Sequence, residues 1–170
     1  ETHKYIGAVS FHSWRGCDDV TLRKWADAAK EINVPLLVGE GSTDAAAHGY
    51  AEIFNESTFA LYEINLYTRI CTICQPLSIL QWQLTSDYSL LWGDGIYGSK
   101  GPLRPTQRFW NIKQLASTPA DALAIPVSSS KKNVNCAAFG NMVRGEYAVH
   151  MVNNGADCEA VISGIPAEVK

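Results

Sequence analysis

Hydrophobic and polar positions run through this chain in two rhythms, and the switch between them predicts its elements. Residues 5–14, Tyr-Ile-Gly-Ala-Val-Ser-Phe-His-Ser-Trp, alternate with the period of two expected of a strand. Asp18 or Asp19 then supplies an N-cap signal, and Val20 to Ile32 carry helical spacing through Leu22, Trp25, Ala28 and Ala29. The run Pro35-Leu36-Leu37-Val38-Gly39-Glu40-Gly41-Ser42 reads as a second strand, Pro35 to Glu40, bounded by Pro and Gly and covered on both faces. Residues 41–52 form a Gly/Ser/Ala loop, longer than the usual about two to six residues, and long loops at such places often carry function. A helix follows from Asn55 to Cys74, then a third strand from Ser78 to Leu84, then a polar, Gly-rich loop from Thr85 to Pro102. Pro105 opens a last helix that runs to Ala116, since Pro is tolerated in a first helical turn. The order β-α-β-α-β-α predicts parallel strands joined by right-handed crossovers.

After Pro119 the rhythm changes. Ala124 to Val127, Val134 to Phe139, Tyr147 to Val152 and Ala160 to Ile165 read as short strands separated by Ser, Asn and Gly turns. This is an antiparallel pattern, part of a small β-sandwich. The boundary falls at Ser117-Thr118-Pro119, which divides the chain into residues 1–118 and 119–170. Three or four short strands leave one sheet with nothing to pack against, so the second segment reads as incomplete.

Composition narrows the classes. With 46% hydrophobic and 18% charged residues the chain is globular, and its 170 residues are too few for a full (β/α)8 barrel of about 250. A net charge of −3 with scattered basic residues, Lys131-Lys132 apart, argues against nucleic acid as a partner. No apolar stretch approaches the about 20 residues needed to span a membrane. The first residue is Glu1, so the expectation is a processed chain or a piece of a longer one. Five cysteines, an odd number, argue against a disulfide scaffold. Cys71-x-x-Cys74 lacks a second ligand pair and reads as two buried thiols, whereas Cys136 and Cys158 could pair in an oxidising compartment. Asn55-Glu56-Ser57 is a formal glycosylation sequon that matters only in a secreted eukaryotic chain.

The candidate chemistry gathers at strand ends. By period two, Glu40 shares a face with Leu36 and Val38, and a charge there is costly unless the strand end opens into a cleft. Parallel α/β folds carry their chemistry at the carboxyl ends of strands, which makes Glu40 the first catalytic candidate, the other role being a capping or salt-bridging carboxylate. On the first strand Ala8, Ser10, His12 and Trp14 share a face, small residues first and large polar ones last. His12 could position a carboxylate or a substrate hydroxyl, or serve as a satisfied structural histidine. On the third strand Leu80, Trp82 and Leu84 share a face, and Trp82 suits a sugar-stacking platform or a core position. Asp87, Tyr88, Trp92 and Asp94 populate the loop that follows. A carboxylate, a histidine and several aromatics make a carbohydrate-type constellation. Gly93-Asp94-Gly95-Ile96-Tyr97-Gly98 nearly mimics a nucleotide-binding glycine fingerprint, but no helix is predicted immediately after it.

These motifs, in this order, resemble the C-terminal part of a clan A glycoside hydrolase, closest to family 30 and its relatives. Ser10-Phe11-His12-Ser13-Trp14 is similar to the end of the sixth barrel strand. Leu36-Leu37-Val38-Gly39-Glu40 is similar to the seventh, which carries the nucleophile. Ser78-Ile79-Leu80-Gln81-Trp82 is similar to the eighth, which carries a tryptophan at the sugar site. Arg108-Phe109-Trp110-Asn111-Ile112-Lys113-Gln114-Leu115 resembles the last helix before the accessory β-domain. The resemblance covers nearly the whole chain. It implies three C-terminal β/α units of a (β/α)8 barrel, secretion, no cofactor or metal, and a retaining mechanism. Glu40 would be the nucleophile, with His12, Trp14, Trp82, Asp87 and Trp92 around the substrate. In that clan the acid/base follows the fourth strand, which has no counterpart here; Asp87 and Asp44 are the carboxylates that might replace it, though neither occupies the family position. The chain alone is therefore expected to be inactive. Its open strand edges predict association with the missing part of the barrel or with another copy. A non-catalytic carbohydrate-binding or assembly fragment is the alternative.

Overall fold

The computed structural model describes residues 2–43 and 49–166. Its first sheet contains β1 (Val9–His12), β2 (Leu36–Gly41) and β3 (Ser78–Gln81), all parallel and in sequence order. Helix α1 (Asp19–Glu31) joins the first two strands and α2 (Ser57–Ile73) the last two, with a 3-10 turn at Ala51–Asn55 ahead of it. A two-residue ribbon, β4 (Leu91–Trp92) against β5 (Arg104–Pro105), interrupts the loop before α3 (Gln107–Leu115). The chain ends in an antiparallel sheet of β6 (Leu123–Ile125), β7 (Val134–Asn141) and β8 (Glu146–Asn153).

The register of the parallel sheet sets what each face carries. Val9 and Phe11 align with Leu36 and Val38, and Ile79 aligns with Val38. These side chains meet Leu22 and Ala29 of α1, Leu66, Tyr67 and Ile70 of α2, and Ile112 and Leu115 of α3 in one core. All three helices therefore cover the same face. The opposite face carries Ser10, Leu37 and Leu80, of which Ser10 and Leu80 are exposed. Complete burial of Leu22, Val38 and Ile70 contributes about 1.5–3 kcal/mol per side chain. Asp18 starts α1 by accepting from the amides of Val20 and Thr21 at 3.0 Å each, a standard N-cap. The second segment is packed on the first through α2. Asn65 bonds Asn135 and Asn154, and the Thr72 hydroxyl donates to the Cys136 carbonyl at 2.9 Å.

Several expectations are corrected. The first strand is four residues rather than ten. Thr2–Tyr5 is a 3-10 turn, pairing starts where the Val9 amide finds the Pro35 carbonyl, and Trp14 lies beyond the strand. The third strand ends at Gln81; the Trp82 amide still bonds the Gly41 carbonyl, the Trp82–Gln83 peptide is cis, and the chain folds back so that Gln83 pairs with Tyr88 and Leu90. Pro105 closes β5 rather than opening α3; its neighbour Thr106 sits at the N-cap position and spends its hydroxyl on the Leu90 carbonyl at 2.8 Å. Residues 160–165 form no strand and are exposed, Val161 almost fully, so no sheet neighbour among the described residues is available to pair them. Cys71 and Cys74 are buried free thiols, and Cys136 and Cys158 are free as well. No helix among the described residues is long and apolar enough to cross a membrane.

Candidate active site

Strict alternation would send Glu40 into the helix-packed core behind Leu36 and Val38. The structure corrects this with an irregularity in the β1–β2 register, where Phe11 faces Val38 but His12 faces Glu40. One extra residue on β2 moves the carboxylate to the side of the sheet that His12 occupies, since a slip of one residue exchanges the faces. There Glu40 Oε2 lies 3.3 Å from His12 Nδ1, with the Glu40 side chain 23% exposed and His12 53% exposed. The carboxylate is shielded but still reaches solvent, unlike a side chain in the helix-packed core. An imidazole beside one oxygen of a partly exposed carboxylate at a strand end is an arrangement that suits a nucleophile or base.

Gly39 makes this approach possible. A Cβ at that position would lie 2.6 Å from Ser10 Oγ and 3.8 Å from the His12 ring. Beyond Glu40 the backbone is tied down: the Ser13 amide bonds the Glu40 carbonyl at 3.0 Å, and the Ser13 hydroxyl donates to the Ser42 carbonyl at 2.6 Å. Gly41 is equally confined, with Tyr67 Oη 2.6 Å and Ile79 Cγ2 3.0 Å from where its Cβ would stand. The Tyr67 hydroxyl donates to Gln81 Oε1 at 2.5 Å, and burial, with the Glu63 charge adding to it, pushes that hydroxyl well above the usual tyrosine range. It stays a neutral donor.

Several of the predicted aromatic residues join a chain of ring contacts that runs through buried Phe54 and Tyr88. His12 and Trp14 stand 5.6 Å apart, and Trp14 stacks on Tyr88 at 5.9 Å with planes 11° apart. Tyr88 meets Phe54 at 4.8 Å, Phe54 stacks on Tyr97 at 5.8 Å, and Tyr97 meets Trp92 at 5.7 Å. Trp92 thus joins these contacts at their far end, four rings from Trp14. Because Tyr88 covers one face of Trp14, that ring has at most one face for a sugar; its Nε1 is buried without a partner among the described residues. Trp82 is 37% exposed just past β3, where its amide bonds the Gly41 carbonyl at the end of β2. Asp87 is exposed in the loop after Trp82, and its charge falls on the Tyr97 hydroxyl, whose proton affinity rises chiefly through burial. The partner that the structure sets against Glu40 is His12. Asp44 lies outside the described residues.

The residues missed by sequence reasoning are the ones that hold the walls. Arg108, on α3, is fully buried; its Nε and Nη2 bond both Glu63 oxygens at 3.0 and 2.7 Å. Its Nη1 donates to the carbonyls of Tyr88 and Ser89 at 3.0 and 2.9 Å, and Nη2 also reaches the Ser42 hydroxyl at 3.3 Å. The rings of Phe54 and Phe59 lie 4.9 and 5.2 Å from the guanidinium carbon. One cation therefore connects the loop two residues past Glu40 to the loop that carries Tyr88. Arg108 was visible only as part of an amphipathic helix; a basic residue there reads as surface until its partners are known.

No protein-family model matches the chain, and no curated protein sequence matches it.

Proposed function

We propose that this chain supplies the nucleophile side of a retaining glycoside hydrolase, as three consecutive β/α units of a (β/α)8 barrel followed by part of an accessory β-domain. The observation that carries the reading is Glu40, displaced by a register irregularity onto the open face of a parallel sheet and held by His12 at the carboxyl ends of the strands. Helices on only one face of the sheet support it, because a barrel keeps its helices outside and its strand ends open. Exposed Trp82 and the Trp14–Tyr88 stack add aromatic faces for a sugar ring. In the proposed reaction Glu40 attacks the anomeric carbon as the leaving-group oxygen takes a proton from a carboxylic acid about 5 Å away. Water, deprotonated by that same group, then releases the sugar with its configuration retained. The acid/base lies outside these three units, so this chain alone is inactive and its partners are the carbohydrate and the remaining barrel units. The proposal places the parent protein outside the cytoplasm, where polysaccharide is met.

The test uses the native protein that contains this chain. Glu40→Ala should abolish turnover of aryl glycosides, and sodium azide should restore it with a glycosyl azide of inverted configuration as product. A 2-deoxy-2-fluoro glycoside should leave its mass on Glu40. Intact sugar binding with no turnover in either the wild type or the variant would sink the hydrolase reading in favour of a binding module.

A further inference from the structure

A second concave site lies away from Glu40, where α2, α3 and β8 meet. It is a groove of about 410 Å³, within the size range of small-ligand sites. No Asp, Glu, Lys or Arg is among the described residues that line it. Polar capacity comes instead from neutral groups, chiefly Gln107, Asn111 and Gln114 of α3, Ser57 of α2 and His150 of β8. Leu61, Ile64 and Met151 supply the apolar part.

These groups are partly pre-oriented. Asn111 Nδ2 donates to the Ala60 carbonyl at 3.1 Å, and Gln107 Nε2 donates to Asn111 Oδ1 at 3.0 Å. That ladder uses the Gln107 amide nitrogen and not its carbonyl oxygen. His150 is buried, and its Nε2 lies 2.8 Å from the Thr118 hydroxyl, which itself donates to the Leu115 carbonyl at 2.8 Å. The Thr118 oxygen must then accept from His150, which fixes the proton on Nε2 and leaves Nδ1 as an acceptor. Burial lowers the proton affinity of the ring and keeps it neutral. A charged ligand would find no countercharge among the lining residues, and an apolar one would leave the amides without partners. A ligand with many hydroxyls and hydrophobic C–H faces satisfies both sets.

We propose that the groove between α2, α3 and β8 is a second carbohydrate-binding site, selective for neutral oligosaccharides and separate from the Glu40 centre. The choice of sugar over other neutral ligands rests on the hydrolase reading above.

The test is photo-crosslinking of the native protein, carrying Glu40→Gln to prevent turnover, with diazirine derivatives of cellotetraose and xylotetraose. Tetragalacturonate serves as the anionic control and a neutral decapeptide as competitor. The expected result is label on peptides spanning 57–68, 107–115 or 150–153, competed by unlabelled neutral tetrasaccharide and not by the anionic sugar or the peptide. In Gln107→Ala/Gln114→Ala, two exposed helix positions where Ala is well tolerated, groove labelling should fall about tenfold or more while labelling near Trp82 is unchanged. Label near Trp82 alone, or groove label competed equally by the decapeptide, overturns the second site. Groove label without any near Trp82 upholds the second site and counts instead against the Glu40 reading.

Discussion

Breaking the Glu63–Arg108 pair is the perturbation whose cost follows most directly from the geometry. Both side chains are buried, Arg108 at 0% and Glu63 at 2% exposure, and they share two hydrogen bonds. Arg108→Met removes the cation and leaves a carboxylate in the core, with the Tyr88 and Ser89 carbonyls each losing a donor. Breaking a buried pair from one side costs about 3–5 kcal/mol, and stability for a domain is about 5–15 kcal/mol in total. The single variant should therefore lose about a fifth or more of the stability of the fold. Glu63→Gln keeps the shape but leaves the guanidinium uncompensated, and should cost about 3 kcal/mol. The double variant Glu63→Gln/Arg108→Met removes both charges, so it should be more stable than the sum of the singles predicts, by about 2 kcal/mol or more in a double-mutant cycle. Urea unfolding read by tryptophan fluorescence measures all three. Two single variants each within about 1 kcal/mol of wild type, with no coupling, would refute the view that this pair anchors both loops of the site.

Other consequences follow from individual contacts. Under the proposed function, His12→Ala should lower kcat of the native protein by about tenfold, with a smaller change in KM, because it releases one oxygen of Glu40 without touching Trp82; equal loss in the two parameters would assign His12 to substrate instead. Gly39→Ala should reduce activity far more than thermal stability, since its Cβ presses on Ser10 and His12 at the open face rather than on the core; a Tm loss as large as that of a core variant would count against this. The Cys71 and Cys74 thiols are pushed by burial to about 12 and about 11, so at pH 8 they should resist a thiol reagent that modifies exposed Cys158, and react on unfolding. The same raised values favour the protonated thiol in the fold. Their stabilisation is complete below pH 9 and is lost as pH rises from about 9 through 12, which a denaturation series across that window will detect. His150 works in the opposite sense: burial lowers its value below 6.5, so its contribution is present above that pH and fades on acidification, as the same series carried below pH 6.5 should show.

How far the sequence reaches can be judged at particular residues. The three parallel strands, α1 and α2 were legible because their apolar spacing is long enough to distinguish a period of 3.6 from one of two. Asp18 was legible as a cap because its chemistry is local, acting within three residues. Glu40 does not stand where the alternation puts it. Period two places it with Leu36 and Val38, and only the pairing of His12 with Glu40 across β1 and β2 shows that it leaves their face. A register irregularity belongs to two strands at once, so neither strand's own pattern can reveal it. The β4–β5 ribbon escaped because two residues are too few to set up an alternation. Phe54, Tyr88 and Tyr97 escaped as a group because they come from separate loops, and their stacking exists only after the fold has formed.

Arg108 joins these strands of argument. Its side chain comes from the helix that follows the parallel sheet, yet its five polar contacts reach α2, the loop after β2 and the loop after β3. A guanidinium can do this because its donors lie in a fixed plane and diverge; a lysine ammonium has three donors and no such fork. Arg108→Lys should thus keep the charge balance with Glu63 while losing either the Ser42 or the Tyr88–Ser89 arm. Under the proposed function this variant separates two roles that Arg108→Met confuses. If Arg108 only neutralises Glu63, the lysine variant should retain both stability and catalysis. If it also fixes the two loops, the variant should stay folded by circular dichroism but lose kcat, and Tyr88 should become more mobile against Trp14, visible as altered quenching of tryptophan emission. A folded lysine variant with wild-type kcat would leave Arg108 with a purely electrostatic task and transfer the positioning of the loops to Ser13 and its bond to Ser42.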